Sequence, residues 1–219
     1  MQHPRLTLTL AAAFALTGCV SVNQAPLTAD SSTKLQSRSV VSSKYATPDF
    51  TAMTAGKAAF AILGAVAMIA EGNAIVRDNA IDDPALSIAA DLQTRLGTAK
   101  GMTAITGSAI TSKNDLPSVI ASNPGADYVL DVQTTNWSFL YFPTNWTHYR
   151  VMYSARVRLI DAATKTVVAE AGCRSVPSDD KNAPTYDELL ADKAALLKSH
   201  LAKAAAECVD QVARDTLKV

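Results

Sequence analysis

His148-Tyr149-Arg150-Val151-Met152-Tyr153-Ser154-Ala155-Arg156-Val157-Arg158-Leu159-Ile160 is the stretch on which the fold turns. Tyr149, Val151, Tyr153, Ala155, Val157 and Leu159 fall on one side of an extended chain, and His148, Arg150, Ser154, Arg156 and Arg158 fall on the other. A period of two over this length is the mark of a strand with one buried face. Asp161-Ala162-Ala163-Thr164 then reads as a turn, and Val167, Ala169, Ala171 and Cys173 continue the apolar side on a second strand. Upstream, Tyr128, Leu130 and Val132 alternate with Asp127, Asp131 and Gln133. The expectation is an antiparallel meander of three to four strands, greasy on one face and charged on the other.

Helical signals surround this sheet. Thr185-Tyr186-Asp187-Glu188 is a capping box, and Tyr186, Leu190, Ala194, Leu197, Leu201, Ala205, Cys208 and Val212 recur at helical spacing after it. That stripe predicts a long C-terminal helix lying on the greasy face. Asp83-Pro84 opens a second helix, with Ile88, Leu92 and Leu96 as its stripe and Gly97 or Gly101 as its end. Asn114 to Ser122 reads as a short helix stopped by Asn123-Pro124-Gly125. The fold class is therefore α+β, a meander packed on helices.

The chain has 219 residues, 20 Lys plus Arg against 20 Asp plus Glu, and is 48% apolar. A balanced charge argues against nucleic-acid binding, and this hydrophobicity argues against disorder. Ala58 to Ala70 has no polar side chain and is bounded by Lys57 and Glu71. As a helix it is too short to span a bilayer. An interfacial helix shows a strongly charged face, which this one lacks, so burial against protein is favoured over a membrane or oligomer contact. Residues 81–219 form the α+β domain, 51–80 the Ala/Gly-rich helical segment, and 19–50, rich in Ser and Thr, a flexible tether with at most a short edge strand over 34–43.

The beginning of the chain is an address. Arg5 precedes the apolar stretch Leu6 to Leu16, and Leu16-Thr17-Gly18-Cys19 follows directly. This resembles the lipobox of bacterial lipoproteins. The resemblance implies that residues 1–18 are a signal peptide, that Cys19 carries a diacylglyceryl thioether, and that Val20 after it directs the protein to the outer membrane, facing the periplasm. With Cys19 lipidated, Cys173 and Cys208 remain. An even pair in an oxidising compartment, on apolar stripes that face each other, predicts a disulfide.

One segment stands out chemically. Trp137, Phe139, Tyr141, Phe142, Trp146, Tyr149 and Tyr153 crowd into seventeen residues, and Thr135-Asn136-Trp137-Ser138 is echoed by Thr144-Asn145-Trp146-Thr147. The reading is a hairpin connection with an aromatic tip. Trp137, Phe139, Tyr141, Phe142, Trp146, His148 and Tyr149 are its candidate partner-binding residues, weighed against ordinary packing of rings over a sheet end. No hydrolase elbow, phosphate loop or zinc-binding helix is present, and His148 and His200 show no metal-ligand spacing. No catalytic residue, metal or cofactor is assigned.

Pro48-Asp49-Phe50, Thr144-Asn145-Trp146-Thr147-His148-Tyr149-Arg150 and Ala183-Pro184-Thr185-Tyr186-Asp187-Glu188-Leu189-Leu190 resemble uncharacterised proteobacterial lipoproteins. Ala126-Asp127-Tyr128-Val129, with Ala155-Arg156-Val157-Arg158-Leu159-Ile160-Asp161, is more distantly similar to the α/β domains of curli-secretion-channel and TolB N-terminal type. Both resemblances imply a non-catalytic binding or assembly module of the envelope. Its partners would be the membrane through the lipid anchor, and an envelope protein or further copies of itself. The rival expectation is a periplasmic hydrolase or small-ligand or lipid carrier with a pocket near His148.

Overall fold

The computed structural model describes residues 22–58, 61–107 and 109–219. The segment expected to be a signal peptide, residues 1–18, and the expected lipidation site Cys19 lie outside them. The architecture is α+β, with a six-stranded sheet in place of the three or four strands expected. β1 (Ser39–Ser42), β2 (Thr51–Met53) and β3 (Thr103–Ile105) are short, whereas β4 (Tyr128–Phe142), β5 (Asn145–Asp161) and β6 (Thr166–Ser175) are long. The order is β3-β1-β4-β5-β6, with β2 also paired to β4. β4, β5 and β6 form the antiparallel meander. The additional strands run parallel: β1 joins β4 at Tyr128 to Leu130, and β2 joins the same edge further along, at Ser138 to Leu140. β1 falls within the short strand weighed over 34–43, whereas a strand of three residues such as β2 carries too few alternations to be read from period alone.

The meander extends further than the sequence suggested. Residues 134–147 are strand almost throughout, and only Pro143 and Thr144 separate β4 from β5. The register slips between Thr134 and Asn136, leaving Thr135 as an extra residue. A bulge of this kind moves every later side chain to the opposite face. Before it, even-numbered residues (Tyr128, Leu130, Val132) face the core; after it, the buried rings are odd-numbered, Trp137 and Phe139.

Two helices cover the greasy face. α4 (Pro84–Lys100) is capped by Asp83, which accepts from the Ala85 N–H, and is closed by Gly101 in a left-handed conformation at φ 64°. Its Ile88, Leu92 and Leu96 are fully buried, as the stripe required. α6 (Tyr186–Gln211) opens with the Thr185–Glu188 capping box and buries Leu197, Leu201, Ala205 and Cys208. It is not continuous. Asp192, Lys193 and Ala194 have φ of 50°, 58° and 56°, a left-handed turn that breaks the helix near its start. Beyond α6 the chain closes with a π-helical turn, Val212–Leu217.

The second face of the sheet is covered too, which corrects the expectation of a solvated charged face. Val41, Val119, Val129 and Ile160 form a smaller apolar cluster there, with Val119 supplied by α5 (Leu116–Ser122). Residues 22–50 are likewise no tether. Ala25 bridges to Glu170, Leu27 is buried, α1 (Ala29–Lys34) leads into fully buried Leu35, and β1 lies inside the sheet between β3 and β4. Their scattered apolar residues fill gaps made by distant elements; only the short strand weighed over 34–43 anticipated any of this, and as β1 it lies inside the sheet and not at its edge.

Candidate functional site

The aromatic ribbon follows from the bulge. Trp137 is 1% exposed, stacks edge-on against Phe50 with ring centres 5.1 Å apart, and donates its indole N–H to the carbonyls of Pro48 and Asp49 at 3.1 Å. Phe139, fully buried, packs edge-on against Tyr149 and Tyr186 at 5.6 and 5.9 Å. Phe142 is buried beneath the Arg150 guanidinium, and Tyr141 is half-buried. The expectation of an exposed aromatic patch is corrected here: Trp137, Phe139, Phe142 and Tyr149 are core. Large rings alternating on a strand are drawn inward once the parity shift aims them at Phe50 and α6. Trp146 alone of the candidates stands out, 67% exposed, with its indole N–H on the Pro143 carbonyl at 2.9 Å. His148 is half-buried, and its Nδ1 lies 2.9 Å from the Asn145 amide oxygen and 3.0 Å from the Thr147 hydroxyl.

The larger exposed apolar surface lies elsewhere. α2 (Ala55–Ala58) and α3 (Ala61–Asp78) make up the Ala-rich segment. Gly64, Met68, Gly72 and Ile75 form its buried stripe. Gly72 permits the approach, since a Cβ there would overlap the Phe50 carbonyl, and Asn73 ties the helix down by accepting from the Phe50 N–H at 2.9 Å and donating to Asp49 at 2.7 Å. Lys57 pairs with Glu71, and Tyr186 donates to Glu71 at 2.6 Å. The opposite side is uncovered: Leu63 is 79% exposed, Val66 65% and Ile69 37%. Ala65, Ala67 and Ala70 around them are exposed as well. The favoured expectation of full burial thus holds for one stripe only. Covering three such side chains would contribute roughly 1.5–3 kcal/mol each.

The predicted disulfide is present, joining Cys173 of β6 to Cys208 of α6 with Cα atoms 5.4 Å apart. Part of the charged face expected of the meander proves to be interior. Asp131, fully buried, accepts from the Ser43 and Tyr45 hydroxyls at 2.8 and 2.6 Å and from Arg158 Nε and Nη2 at 2.9 and 2.7 Å. Burial and the Asp131 charge push the Tyr45 phenol well above its ordinary range, so it remains a donor. This arrangement pins residues 43–45 over the sheet; the one sequence signal for it was an acid and an arginine at opposed strand positions. Among the described residues no group of three or more His, Cys, Asp or Glu could hold a metal ion, and no helix is long and apolar enough to cross a membrane.

No protein-family model and no curated protein matches the sequence. Solved structures with a similar chain path include the PelC dodecamer of Paraburkholderia phytofirmans (16% identity, 85% of this chain and 96% of that one, TM-score 0.33). Lipoprotein GNA1162 of Neisseria meningitidis is another (15% identity, 81% and 99%, TM-score 0.29). A putative neuraminyllactose-binding hemagglutinin homolog of Helicobacter pylori is a third (10% identity, 89% and 91%, TM-score 0.33). At such scores the likeness transfers neither activity nor ligand, and the chemistry rests on this chain's own residues.

Proposed function

We propose that this protein is an outer-membrane lipoprotein, held at the periplasmic face through acylated Cys19, that works as a non-catalytic binding and assembly module. The observation that carries the reading is the uncovered apolar face of α3 at Leu63, Val66 and Ile69. An apolar face of this kind, free of charge from residue 58 to residue 70, is a surface for contact with another envelope protein or a second copy of the chain. The lipobox-like Leu16-Thr17-Gly18-Cys19 supports the anchor, and the Cys173–Cys208 bridge fits an oxidising compartment. The rival hydrolase or carrier reading has less support, because the His148 ring is engaged by Asn145 and Thr147 of its own ribbon end.

Two measurements test this. In the native host, Cys19→Ala is expected to move the protein from the membrane pellet to the soluble fraction; unchanged retention would remove the anchor. Val66→Asp is expected to leave unfolding within about 0.5 kcal/mol of the parent, as for surface sites in general. It should also abolish crosslinks formed from a photoreactive group at Leu63. Marked destabilisation with crosslinks retained would show that the face is not a contact surface.

A further inference from the structure

The chain is fastened to the body of the protein from Val22 onward. Ala25 and Glu170 exchange backbone hydrogen bonds at 2.8 and 2.9 Å, and the Leu27 N–H donates to the Thr216 carbonyl at 2.8 Å. The bridge between Ala25 and Glu170 is antiparallel, so toward its beginning the chain follows the outer edge of β6 in the direction of Arg174. The Gln24 amide donates to the Gly172 carbonyl at 3.3 Å, and the Gln211 amide donates to the same oxygen. Val22 lies over Gly172, where an added Cβ would come to 3.0 Å from its Cγ1. Glycine at this point lets the segment lie close against the strand.

Three residue steps separate Cys19 from Val22. Each covers at most about 3.6 Å, so the two residues lie within about 11 Å of one another whatever the conformation between them. A free coil over residues 19–50 would instead average about 30 Å from end to end. A folded chain of this size is about 40 Å across. A link of about 11 Å therefore leaves the domain no room to turn a distant side toward the layer that holds the acyl chains. The surface around Val22 is polar: Asn23, Gln24 and Arg174 are all exposed. Amides and a guanidinium suit the phosphate and ester oxygens of lipid headgroups, and they lack the apolar bulk that entry among acyl chains requires. The exposed Leu63, Val66 and Ile69 belong to α3, whose Gly72 packs against Phe50 and Ala52 on the β2 side, with β4 and β5 between it and β6.

We propose that the edge of β6 around Val22, Asn23, Gln24 and Arg174 rests on the lipid headgroups, so that the domain is seated on the bilayer and not suspended from it. This rests on the acylation of Cys19 proposed above. In membranes of the native host, a photoreactive residue placed at Asn23 or at Arg174 should form phospholipid adducts, read by mass, at least fivefold more than one placed at Ala104. Ala104 is exposed on β3, at the opposite edge of the sheet and level, through the register, with Thr166 at the far end of β6. Inserting about twenty Gly and Ser residues between Ser21 and Val22 adds about 25 Å of average reach and leaves residues 22–219 unaltered. That insertion should lower the adducts at Asn23 and Arg174 to the Ala104 level while the protein stays in the membrane pellet. Recovery of the parent chain in the soluble fraction would overturn the anchor and this proposal together. A pelleted chain labelled no more at Arg174 than at Ala104, or labelling that survives the spacer, would overturn the seating alone and leave the anchor standing.

Discussion

Asp83 shows how much one cap can carry. Its carboxylate accepts from the Ala85 N–H at 2.9 Å and from the Thr134 hydroxyl, which lies 2.9 Å from the Tyr153 hydroxyl. Burial pushes its pKa up from the ordinary 3.8, outweighing the two hydrogen bonds that pull it down. A raised folded-state value means the folded chain holds the proton more tightly than the unfolded one. The stability this group contributes is therefore complete below the unfolded value and lost as pH rises through the folded one. Asn at this position keeps both acceptor contacts without the buried charge. Asp83→Asn is accordingly expected to be the more stable protein at pH 7, with the difference from the parent vanishing below about pH 4. Urea unfolding from pH 3 to 8 measures this; a difference independent of pH would contradict it. The cap itself was legible in Asp83-Pro84. Its link to Thr134 and Tyr153 was not, because Asp83 and Thr134 are 51 positions apart and meet only through the third dimension.

At the scale of elements, the two departures from regularity matter most. The Thr135 bulge reverses strand parity, and so decides that Trp137 and Phe139 enter the core beside Phe50 while the ribbon's end leaves Trp146 outside. A period of two read through residues 128–142 has no means of anticipating one inserted residue. The left-handed turn at Asp192–Ala194 is the second. Non-glycine residues there carry a cost of roughly 1–2 kcal/mol each. Lys193, exposed and at φ 58°, can become Gly without loss of packing. Lys193→Gly is expected to raise stability by up to about 1 kcal/mol, the relieved strain being partly offset by the greater freedom of glycine when unfolded. A lower thermal midpoint in calorimetry would count against the turn. The capping box and the stripe beyond it were both plain in the sequence, but they describe a helix equally well with or without the interruption.

The molecule as a whole depends on its first described residues more than composition suggests. β1 is hydrogen-bonded on both sides, Phe50 abuts Trp137, Phe139 and Gly72, and Tyr45 with Ser43 completes the shell of buried Asp131. Deleting residues 1–43 is expected to abolish cooperative urea unfolding, since it removes β1 and leaves buried groups unpaired, losses of several kcal/mol against a total of about 5–15. A truncated chain that unfolds cooperatively near the parent midpoint would restore the tether reading. The Cys173–Cys208 bridge acts at the opposite end, tying α6 to β6 across a separation of 35 residues. Closing a loop of that length contributes roughly 3–4 kcal/mol through the unfolded state.

Where a signal repeats along the chain, the amino acids alone were enough. The meander, the caps of α4 and α6, and the cysteine pairing all rest on periods or short motifs whose energies are local or simply facing. Three features arose from folding instead: the inward turn of the aromatic ribbon, the inclusion of residues 22–50, and the half-covered α3. Each depends on what a distant element presents at the point of contact, a Phe50 carbonyl beneath Gly72 or an Asp131 beneath Tyr45. No window along the chain contains both partners of such a contact.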